Sequence, residues 1–332
     1  MTPSGIKAII PVAGVGSRLR PHTHTTPKAL IHVAGRPILA HILDDLERLG
    51  VTDVVLVVGH MSEHIRAYVD THYAHLTRSY VDQPERLGLG HAVRMTRDLV
   101  IGHPVFIVLG DTIFRADFST VVNGAESAIG VREVEDPRRF GIVETKDGYA
   151  SRLVEKPDQP TSNLAIVGVY YLTDSVLLFE ALDTLVAKDM RTKGEYQLTD
   201  ALQIMIEKGH RIRPFKVAGW YDCGKTETLL ETNRELLDVK GDAPGPAPAG
   251  SVIVPPVAID PTAVIEHSII GPHVSIAARA VVRESVVKNS IVNEDAVVEQ
   301  TLLEGSVIGE NALVTGTFRH LNVGDSSEVR LG

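Results

Sequence analysis

The chain has 332 residues, 44% of them hydrophobic and 23% charged, and this length favours two domains over one. Its formal net charge of −9 argues against broad nucleic-acid binding, and its sequence has no apolar run near the ~20 residues of a membrane span. A single cysteine excludes an internal disulfide framework, and no signal-peptide pattern opens the sequence. These features predict a cytoplasmic protein that does not bind DNA.

Strand-like and helix-like segments alternate in the first part of the chain. Strands are predicted at 6–11, 53–58, 78–82 and 105–109, and helices at 37–49, 62–68 and 90–99. Repeated β-α units with nearly continuous apolar strands indicate an α/β fold with a Rossmann-like, mostly parallel sheet covered on both faces. Ligands of such folds bind beyond the carboxyl ends of the strands, so the segments after 6–11 and 105–109 are candidate sites.

A glycine-containing loop follows the first predicted strand and is suited to phosphate binding. Gly14 and Gly16 let the backbone approach a polyphosphate, and Arg18 and Arg20 add positive charge. The loop has neither the Gly-Lys-Ser/Thr ending of a Walker A motif nor the Gly-x-Gly-x-x-Gly pattern of dinucleotide-binding proteins. A lone Gly-x-Gly after a strand is more often a tight turn, so the loop by itself does not identify a site.

The longer stretch VAGVGSRLRPHTHTTPKAL at 12–30 resembles the signature of the sugar-1-phosphate nucleotidylyltransferases. That signature reads A-A/G-G-x-G-T/S-R-L-x-P-x-T-x-x-x-P-K-x-L, and the departures are Val12 and Ser17, where Ala and Thr are frequent. Further similarity extends the match over residues 6–238, closest to the long-form glucose-1-phosphate thymidylyltransferases. The segments that carry it are Leu109-Gly110-Asp111, FGIVE at 140–144, VEKP at 154–157, GVYY at 168–171, GEYQLTDA at 194–201 and GWYDCG at 219–224.

The resemblance implies a reaction and a set of site residues. A nucleoside monophosphate would be transferred from an NTP, with dTTP favoured, to a sugar-1-phosphate, with glucose-1-phosphate favoured, and pyrophosphate would be released. Asp111 and Asp222 are the expected Mg²⁺ ligands, since Mg²⁺ takes hard oxygen ligands and keeps some of its waters. Arg18 and Lys28 are expected to neutralise the triphosphate, and Lys156 to hold the sugar phosphate. These five residues are the expected catalytic set.

Other residues are expected to bind the two substrates. The nucleotide-binding candidates are Ala13, Gly14, Gly16, Ser17, Arg18, Gln83 and Gly88, of which Gln83 and Gly88 would read the base. The sugar-phosphate-binding candidates are Gly141, Glu155, Lys156 and Gly168. Arg191 or Lys193 could add a phosphate contact; the family often has Arg immediately before the Gly-Glu pair, whereas this chain has Lys193 there.

For the histidines, Cys223 and Trp220 the sequence gives less support for a role in the site. The chain has 14 histidines, but none shows a catalytic zinc spacing such as H-E-x-x-H. Cys223 has no predicted base partner and is interpreted as a small packing residue. Trp220 could equally pack on the sugar or lie in the core.

Composition changes near residue 240. GDAPGPAPAG at 241–250 reads as a linker between a catalytic domain at 1–240 and a second domain at 251–332. In that second domain aliphatic residues recur every five or six positions, a period that fits hexapeptide repeats and a left-handed parallel β-helix of about three to four coils. The recurring residues are Ile259, Ile265, Ile270, Ile276, Val282, Val287, Val292, Val298, Leu303, Ile308 and Val314.

Several alternatives stay open from sequence. The resemblance also fits a UTP–glucose-1-phosphate uridylyltransferase or a mannose-1-phosphate guanylyltransferase. More remote readings make the β-helix an acyltransferase, or the entire chain a non-catalytic scaffold. The flat faces and open ends of a β-helix need covering, which favours a homo-oligomer.

Overall fold

The computed structural model describes residues 5–240, 248 and 250–316. The chain divides into two compact units, one formed by Met1–Ile31 with Arg36–Leu229 and the other by His32–Gly35 with Leu230–Gly332. All but two residues of the predicted linker at 241–250 lie outside the described part. The predicted limits of the catalytic domain, 1–240, and of the second domain, 251–332, stay predictions.

Residues 5–240, the described part before the linker segment, form thirteen strands and eight α-helices. The strands are β1 Lys7–Pro11, β2 His32–Val33, β3 Arg36–Pro37, β4 Asp53–Val58, β5 Thr77–Asp82, β6 Val105–Val108, β7 Thr112–Arg115, β8 Ser127–Glu133, β9 Gly141–Lys146, β10 Tyr149–Glu155, β11 Leu164–Leu172, β12 Ile212–Lys216 and β13 Gly219–Asp222. The helices are α1 Ile38–Arg48, α2 Ser62–His72, α3 Leu89–Arg94, α4 Arg97–Val100, α5 Ser119–Val122, α6 Ser175–Ala187, α7 Leu198–Glu207 and α8 Thr226–Lys240.

A nine-stranded sheet organises the first unit. Strands β6, β1, β4 and β5 are parallel neighbours, and β11 pairs antiparallel with β6, β8 and β9. Strands β1, β4 and β6 are nearly continuous apolar runs with buried side chains on both faces, whereas β5, at the end of the sheet, is largely polar and contains no fully buried side chain. This confirms the Rossmann-like, mostly parallel sheet, to which β8–β11 add an antiparallel part.

The helices follow the predicted apolar periodicity with one exception. Helix α1 buries Ile38, Leu39, Ile42, Leu43 and Leu46, at the spacing of one helix face. The single helix predicted at 90–99 is wrong, because the segment forms two short helices, α3 and α4. They separate at Thr96, a fully buried residue whose Oγ1 donates to the Val93 carbonyl at 2.7 Å.

The second unit contains the predicted left-handed β-helix. Its strands are β14 Val252–Ile253, β15 Val257–Ile259, β16 Val264–Glu266, β17 Ile269–Ile270, β18 Val274–Ile276, β19 Val281–Arg283, β20 Val286–Lys288, β21 Ile291–Val292, β22 Val297–Glu299, β23 Leu302–Glu304, β24 Val307–Ile308 and β25 Leu313–Thr315. Within the described residues 250–316 they form three parallel sheets of four strands each, which corresponds to four coils in that part of the chain. Each aliphatic residue of the predicted repeat lies in the β-helix core or packs against it. Among the described residues, no helix has the length and apolar character of a membrane span.

Candidate active site

The two loops predicted to hold the site follow the central strands β1 and β6 of the first unit. Val12, just after β1, donates its N–H to the Val57 carbonyl at 2.8 Å. Gly110, after β6, donates its N–H to the Pro11 carbonyl at 3.2 Å. Because β1 and β6 are parallel neighbours, both loops leave the same edge of the sheet.

Lys28 and Asp111 form an ion pair at this edge. Lys28 Nζ donates to Asp111 Oδ2 at 2.7 Å, and Thr112 Oγ1 donates to Asp111 Oδ1 at 3.1 Å. The Lys28 side chain is 9% exposed, whereas that of Asp111 is 44% exposed and lines a cavity. Burial acts to raise the pKa of Asp111, but the Lys28 ammonium and its hydrogen bond outweigh burial and hold that pKa below its ordinary value. The Asp111 carboxylate is therefore ionised at neutral pH and reachable from the cavity.

Strand β13 brings the second carboxylate to the same place. It pairs antiparallel with β7, so that Asp222 lies opposite Thr112, the residue that follows Asp111. A Cβ added to Gly224 would lie 2.7 Å from Asp222 Oδ1 and 3.0 Å from Arg18 Nη2. The Asp222 carboxylate and the Arg18 guanidinium thus flank the small space that this glycine leaves open.

A cavity of about 760 Å³ opens in front of these groups. Its volume lies within the range of small-molecule sites. Cations, carboxylates and aromatic rings line it together, which suits a ligand with phosphate groups and a hydroxylated ring. The predicted site residues in its wall are Arg18, Asp111, Gly141, Glu155, Lys156, Gly168 and Asp222.

The predicted sugar side of the cavity is organised around Glu155. Thr199 Oγ1 donates to Glu155 Oε2 at 2.7 Å, and Lys156 Nζ lies 3.3 Å from Glu155 Oε1. A Cβ on Gly141 would lie 2.9 Å from Glu155 Oε2, so only glycine leaves room for this carboxylate. Burial and the nearby Glu155 charge raise the pKa of Tyr170, which keeps its lining hydroxyl neutral.

Two aromatic rings close another part of the wall. Phe140 and Trp220 stack edge to face with their ring centroids 5.0 Å apart, and both line the cavity. Of the two expectations for Trp220, packing beside a bound substrate is therefore the one that its position favours.

The predicted phosphate loop contributes a side chain to the cavity through Arg18. Residues Ser17–Leu19 form a short 3₁₀ helix that begins after Gly16, which has left-handed backbone angles. Gly14 has no atom within 4 Å of an added Cβ, so its backbone borders open space. Ala13, Gly14, Gly16 and Ser17 lie in the same loop but do not line the cavity itself.

The predicted base-reading pair comes together at the start of α3. Gln83 is 8% exposed, and its Nε2 donates to the Gly88 carbonyl at 3.4 Å and faces His91 Nδ1 at 3.3 Å. Neither Gln83 nor Gly88 lines the cavity, but Leu89, the residue after Gly88, does. The base-reading pair therefore lies at the margin of the cavity.

Arg191 and Lys193, the two candidates for an extra phosphate contact, have different surroundings in the structure. Lys193 lines the cavity and donates to Asp158 Oδ1 at 2.9 Å. Arg191 instead donates to Asp189 Oδ1 at 2.7 Å and lies over the Tyr196 ring, 4.5 Å from its centroid. Of the two, only Lys193 is placed to contact a ligand in the cavity.

Arg138, Arg139 and Thr199 are among the lining residues to which sequence reasoning assigned no role. Arg138 and Arg139 precede the Phe140-Gly141 motif directly, and two consecutive arginines beside a sugar-side motif were an available signal. Both arginines are exposed, and Arg138 donates to the two oxygens of Asp136 at 2.8 and 2.9 Å. Thr199 stood inside a recognised motif, but its bond to Glu155 spans 44 residues and has no sequence signature.

The chain is similar to known sugar nucleotidyltransferases. Residues 7–239 match the Nucleotidyl transferase family. The low-salt glycan biosynthesis nucleotidyltransferase Agl11 of Haloferax volcanii is 36% identical, over 71% of this chain and 67% of its own length. A glucose-1-phosphate thymidylyltransferase of Streptomyces antibioticus is 32% identical over 98% of this chain and 99% of its own. A UDP-glucose pyrophosphorylase solved with UDP-glucose superposes with a TM-score of 0.61 and 25% identity, covering 70% of this chain and 98% of the other.

Proposed function

The chain belongs to the Nucleotidyl transferase family and is a sugar-1-phosphate nucleotidylyltransferase, and from this premise we propose that it makes dTDP-glucose or UDP-glucose. The favoured substrates are dTTP and glucose-1-phosphate, and the reaction takes place in residues 1–240. One observation carries the proposal. Three cationic side chains, those of Arg18, Lys28 and Lys156, lie at one edge of the sheet together with the carboxylates of Asp111 and Asp222.

The reaction joins two anions, and the chain supplies charge where it is needed. An oxygen of the sugar phosphate attacks the α-phosphorus of the nucleotide, a new P–O bond forms, and the bond to pyrophosphate breaks. Lys156, at the sugar side, lowers the repulsion between the incoming phosphate and the triphosphate. Arg18 and Lys28, near the phosphate loop, neutralise the charge that builds on the leaving pyrophosphate. Positioning and electrostatics are the main catalytic contributions of this site.

The carboxylates fit a Mg²⁺ ion that binds together with the nucleotide. The described residues contain no group of three or more His, Cys, Asp or Glu side chains that could hold a metal by themselves. Asp111 and Asp222 offer hard oxygen ligands at the cavity wall, and Mg²⁺ commonly uses one or two carboxylates plus phosphates and waters. Such an ion would neutralise phosphate oxygens. We propose Mg²⁺ for this role, with Asp111 and Asp222 holding it.

The neighbours of Gln83 favour a base with a donor ring N–H, such as thymine or uracil, over cytosine. A carbonyl oxygen only accepts hydrogen bonds, so the atom that faces the Gly88 carbonyl is the donor Nε2. Burial and the charge of Arg94 lower the pKa of His91, whose neutral ring then accepts from the same Nε2. Gln83 Oε1 is left to accept a hydrogen bond, and thymine and uracil carry a donor N–H between their two carbonyls. Cytosine has an acceptor nitrogen at that position and would leave Oε1 unpaired.

A substrate panel tests this proposal. We expect pyrophosphate release with glucose-1-phosphate to be fastest with dTTP or UTP, and kcat/KM with CTP to be lower by about 100-fold because Oε1 then faces an acceptor. Omitting the sugar phosphate gives the background rate. No release with any pair of nucleotide and sugar phosphate would overturn the function, and a fastest rate with GTP and mannose-1-phosphate would select the guanylyl alternative.

We propose that the β-helix at 251–332 mediates formation of a homo-oligomer. Two of its sheets carry aliphatic side chains on their outer faces in register. On the first, Val252, Ile269 and Leu302 are 54%, 42% and 72% exposed, and Val286 lies between the last two. The second is formed by Val264, Val281, Val297 and Leu313. Aligned exposed aliphatic residues of this kind favour burial against another surface.

Charge placed on the first of these faces should break the oligomer. We expect the double variant Val252→Glu, Ile269→Glu to lower the mass measured by light scattering, because burying the new carboxylates would be costly. Leu99→Glu, at an exposed leucine of the first unit, is the matched control and should keep the wild-type mass. Equal masses for all three proteins, or a monomeric wild type, would contradict the proposal.

A further inference from the structure

A buried glutamine, Gln197, lies in the cavity wall at the proposed sugar side. It is 6% exposed, and it lines the cavity together with the next two residues, Leu198 and Thr199. Gln197 directly precedes α7, but its side chain makes no capping hydrogen bond to that helix. The amide is therefore available for another purpose.

Two hydrogen bonds fix the direction of the Gln197 amide. Its Nε2 donates to the Thr192 carbonyl at 3.3 Å and to Glu195 Oε2 at 3.1 Å. A carbonyl and a carboxylate only accept hydrogen bonds, so the amide nitrogen has to face them. The amide oxygen, Oε1, has to face the other way.

The two partners of Nε2 are themselves held by a tight turn. Thr192 and Glu195 exchange two backbone hydrogen bonds, at 3.0 and 3.2 Å. The residues between them, Lys193 and Gly194, have φ angles of 53° and 88°, and positive φ at both central positions is typical of a type I′ turn. This closed turn gives the Gln197 amide a fixed support.

Gln197 Oε1 is an accessible acceptor without a partner among the described residues. Within that part of the chain, Gln197 makes its side-chain hydrogen bonds through Nε2 alone. The described side-chain atoms that are both buried and unpaired are His32 Nδ1 and Asn289 Oδ1, so Oε1 is not sealed off from the cavity. In a residue this buried, an unpaired oxygen at a cavity wall is suited to a ligand that donates a hydrogen bond.

The neighbours of Gln197 place its amide next to the proposed sugar-binding carboxylate. Thr199, two residues further along the chain, donates to Glu155 Oε2 at 2.7 Å. Two residues of extended chain span at most about 7 Å, so Gln197 lies close to this pair. On its other side, the Tyr196 carbonyl accepts from the Gly90 N–H at 2.8 Å, near the start of α3. A sugar held by Glu155 would therefore come next to the Gln197 amide.

We propose that Gln197 Oε1 accepts a hydrogen bond from the acceptor sugar and so helps to determine which sugar phosphate the enzyme uses. The substrate class is a sugar-1-phosphate that carries an O–H or N–H donor at the ring position facing Gln197. Deoxy positions and ethers offer no donor there and are selected against. The inference rests on the proposed function for the identity of the sugar phosphate, whereas the unpaired oxygen itself does not depend on it.

Replacing the amide by an apolar side chain of similar length tests this hydrogen bond. We expect Gln197→Met to raise KM for glucose-1-phosphate about tenfold or more and to leave KM for the nucleotide unchanged, because the contact is made to the sugar alone. Gln203→Met, in α7, is the matched control. Both ends of the Gln203 amide are paired within the protein, since Oε1 accepts from the Leu153 N–H at 2.8 Å and Nε2 donates to Glu207 Oε1 at 2.8 Å. This control should lower the melting temperature at least as much and keep both KM values.

Deoxy sugars identify the hydroxyl group that meets Gln197. With the wild type, we expect one of the 2-, 3-, 4- and 6-deoxy analogues of glucose-1-phosphate to lose about tenfold or more in kcat/KM, and Gln197→Met should not distinguish that analogue from glucose-1-phosphate. Losses caused by other contacts, such as those of Glu155, should be the same in both proteins. The inference would be overturned by equal losses for every analogue in both proteins, or by a rise in KM for the nucleotide in place of the sugar.

Calorimetry separates this inference from the proposed function. A wild-type protein that releases no pyrophosphate would overturn the proposed function, but glucose-1-phosphate can still be titrated into it with dTTP present. We expect the Kd of glucose-1-phosphate to be about tenfold higher for Gln197→Met than for the wild type, and unchanged for Gln203→Met. Equal Kd values for the three proteins, or no binding to any of them, would mean that Gln197 does not contact the sugar.

Discussion

Asp111→Asn is expected to lower kcat about 1000-fold, equivalent to about 4 kcal/mol of transition-state stabilisation. The substitution keeps the size of the side chain but removes the charge that Lys28 pairs with at 2.7 Å and that would bind Mg²⁺. Pyrophosphate release by the variant should therefore be slower than that by the wild type, and it should require a higher Mg²⁺ concentration. Steady-state rates measured over a Mg²⁺ titration report both effects.

Asp53→Asn is the matched control for the loss of a carboxylate. Asp53 begins β4 and pairs with Lys7 at 3.2 Å, at the opposite edge of the sheet from the proposed site. Partly exposed pairs of this kind contribute little to stability, so both kcat and the Mg²⁺ requirement should stay near wild type. If Asp111→Asn released pyrophosphate as fast as Asp53→Asn, the assignment of Asp111 as a metal ligand would be wrong.

The sequence could predict the elements whose signals are local. The parallel strands β1, β4 and β6 are nearly continuous apolar runs, and parallel topology then puts the loops after β1 and β6 at one edge. The β-helix has a period that neither an α-helix nor an isolated strand produces. The linear motifs contain Arg18, Lys28, Asp111 and Asp222, and the structure places all four of them at this edge.

The parts that were missed depend on contacts between distant residues. Thr199 reaches Glu155 across 44 residues, and Asn233 reaches Ala34 across 199. Neither pair leaves a periodic or compositional trace, because each depends on how whole elements pack. The break between α3 and α4 has a similar origin. It occurs at Thr96, whose side chain is fully buried, and that burial depends on the packing of the whole domain.

Gly88→Ala should cause a large loss of nucleotide binding, because the backbone at the proposed base-reading site leaves no space for a side chain. Gly88 has φ 109° and ψ 173°, a combination that is nearly exclusive to glycine. An added Cβ would lie 2.6 Å from the Tyr196 carbonyl oxygen and 2.8 Å from Glu195 Cβ. The chain must move there, and the Gln83 hydrogen bond to the Gly88 carbonyl would move with it.

We expect Gly88→Ala to raise KM for the nucleotide about tenfold or more and to lower the free energy of unfolding by about 3 kcal/mol, from backbone strain and steric overlap together. Gly102→Ala is the control that separates backbone strain from steric overlap, because it introduces only the strain. Gly102 also has a positive φ, 85°, but no atom lies within 4 Å of its added Cβ. That control should cost about 1 kcal/mol in stability and leave KM unchanged. A normal KM in Gly88→Ala would mean that the nucleotide base binds away from Gln83 and Gly88, so nucleotide choice would depend on other residues.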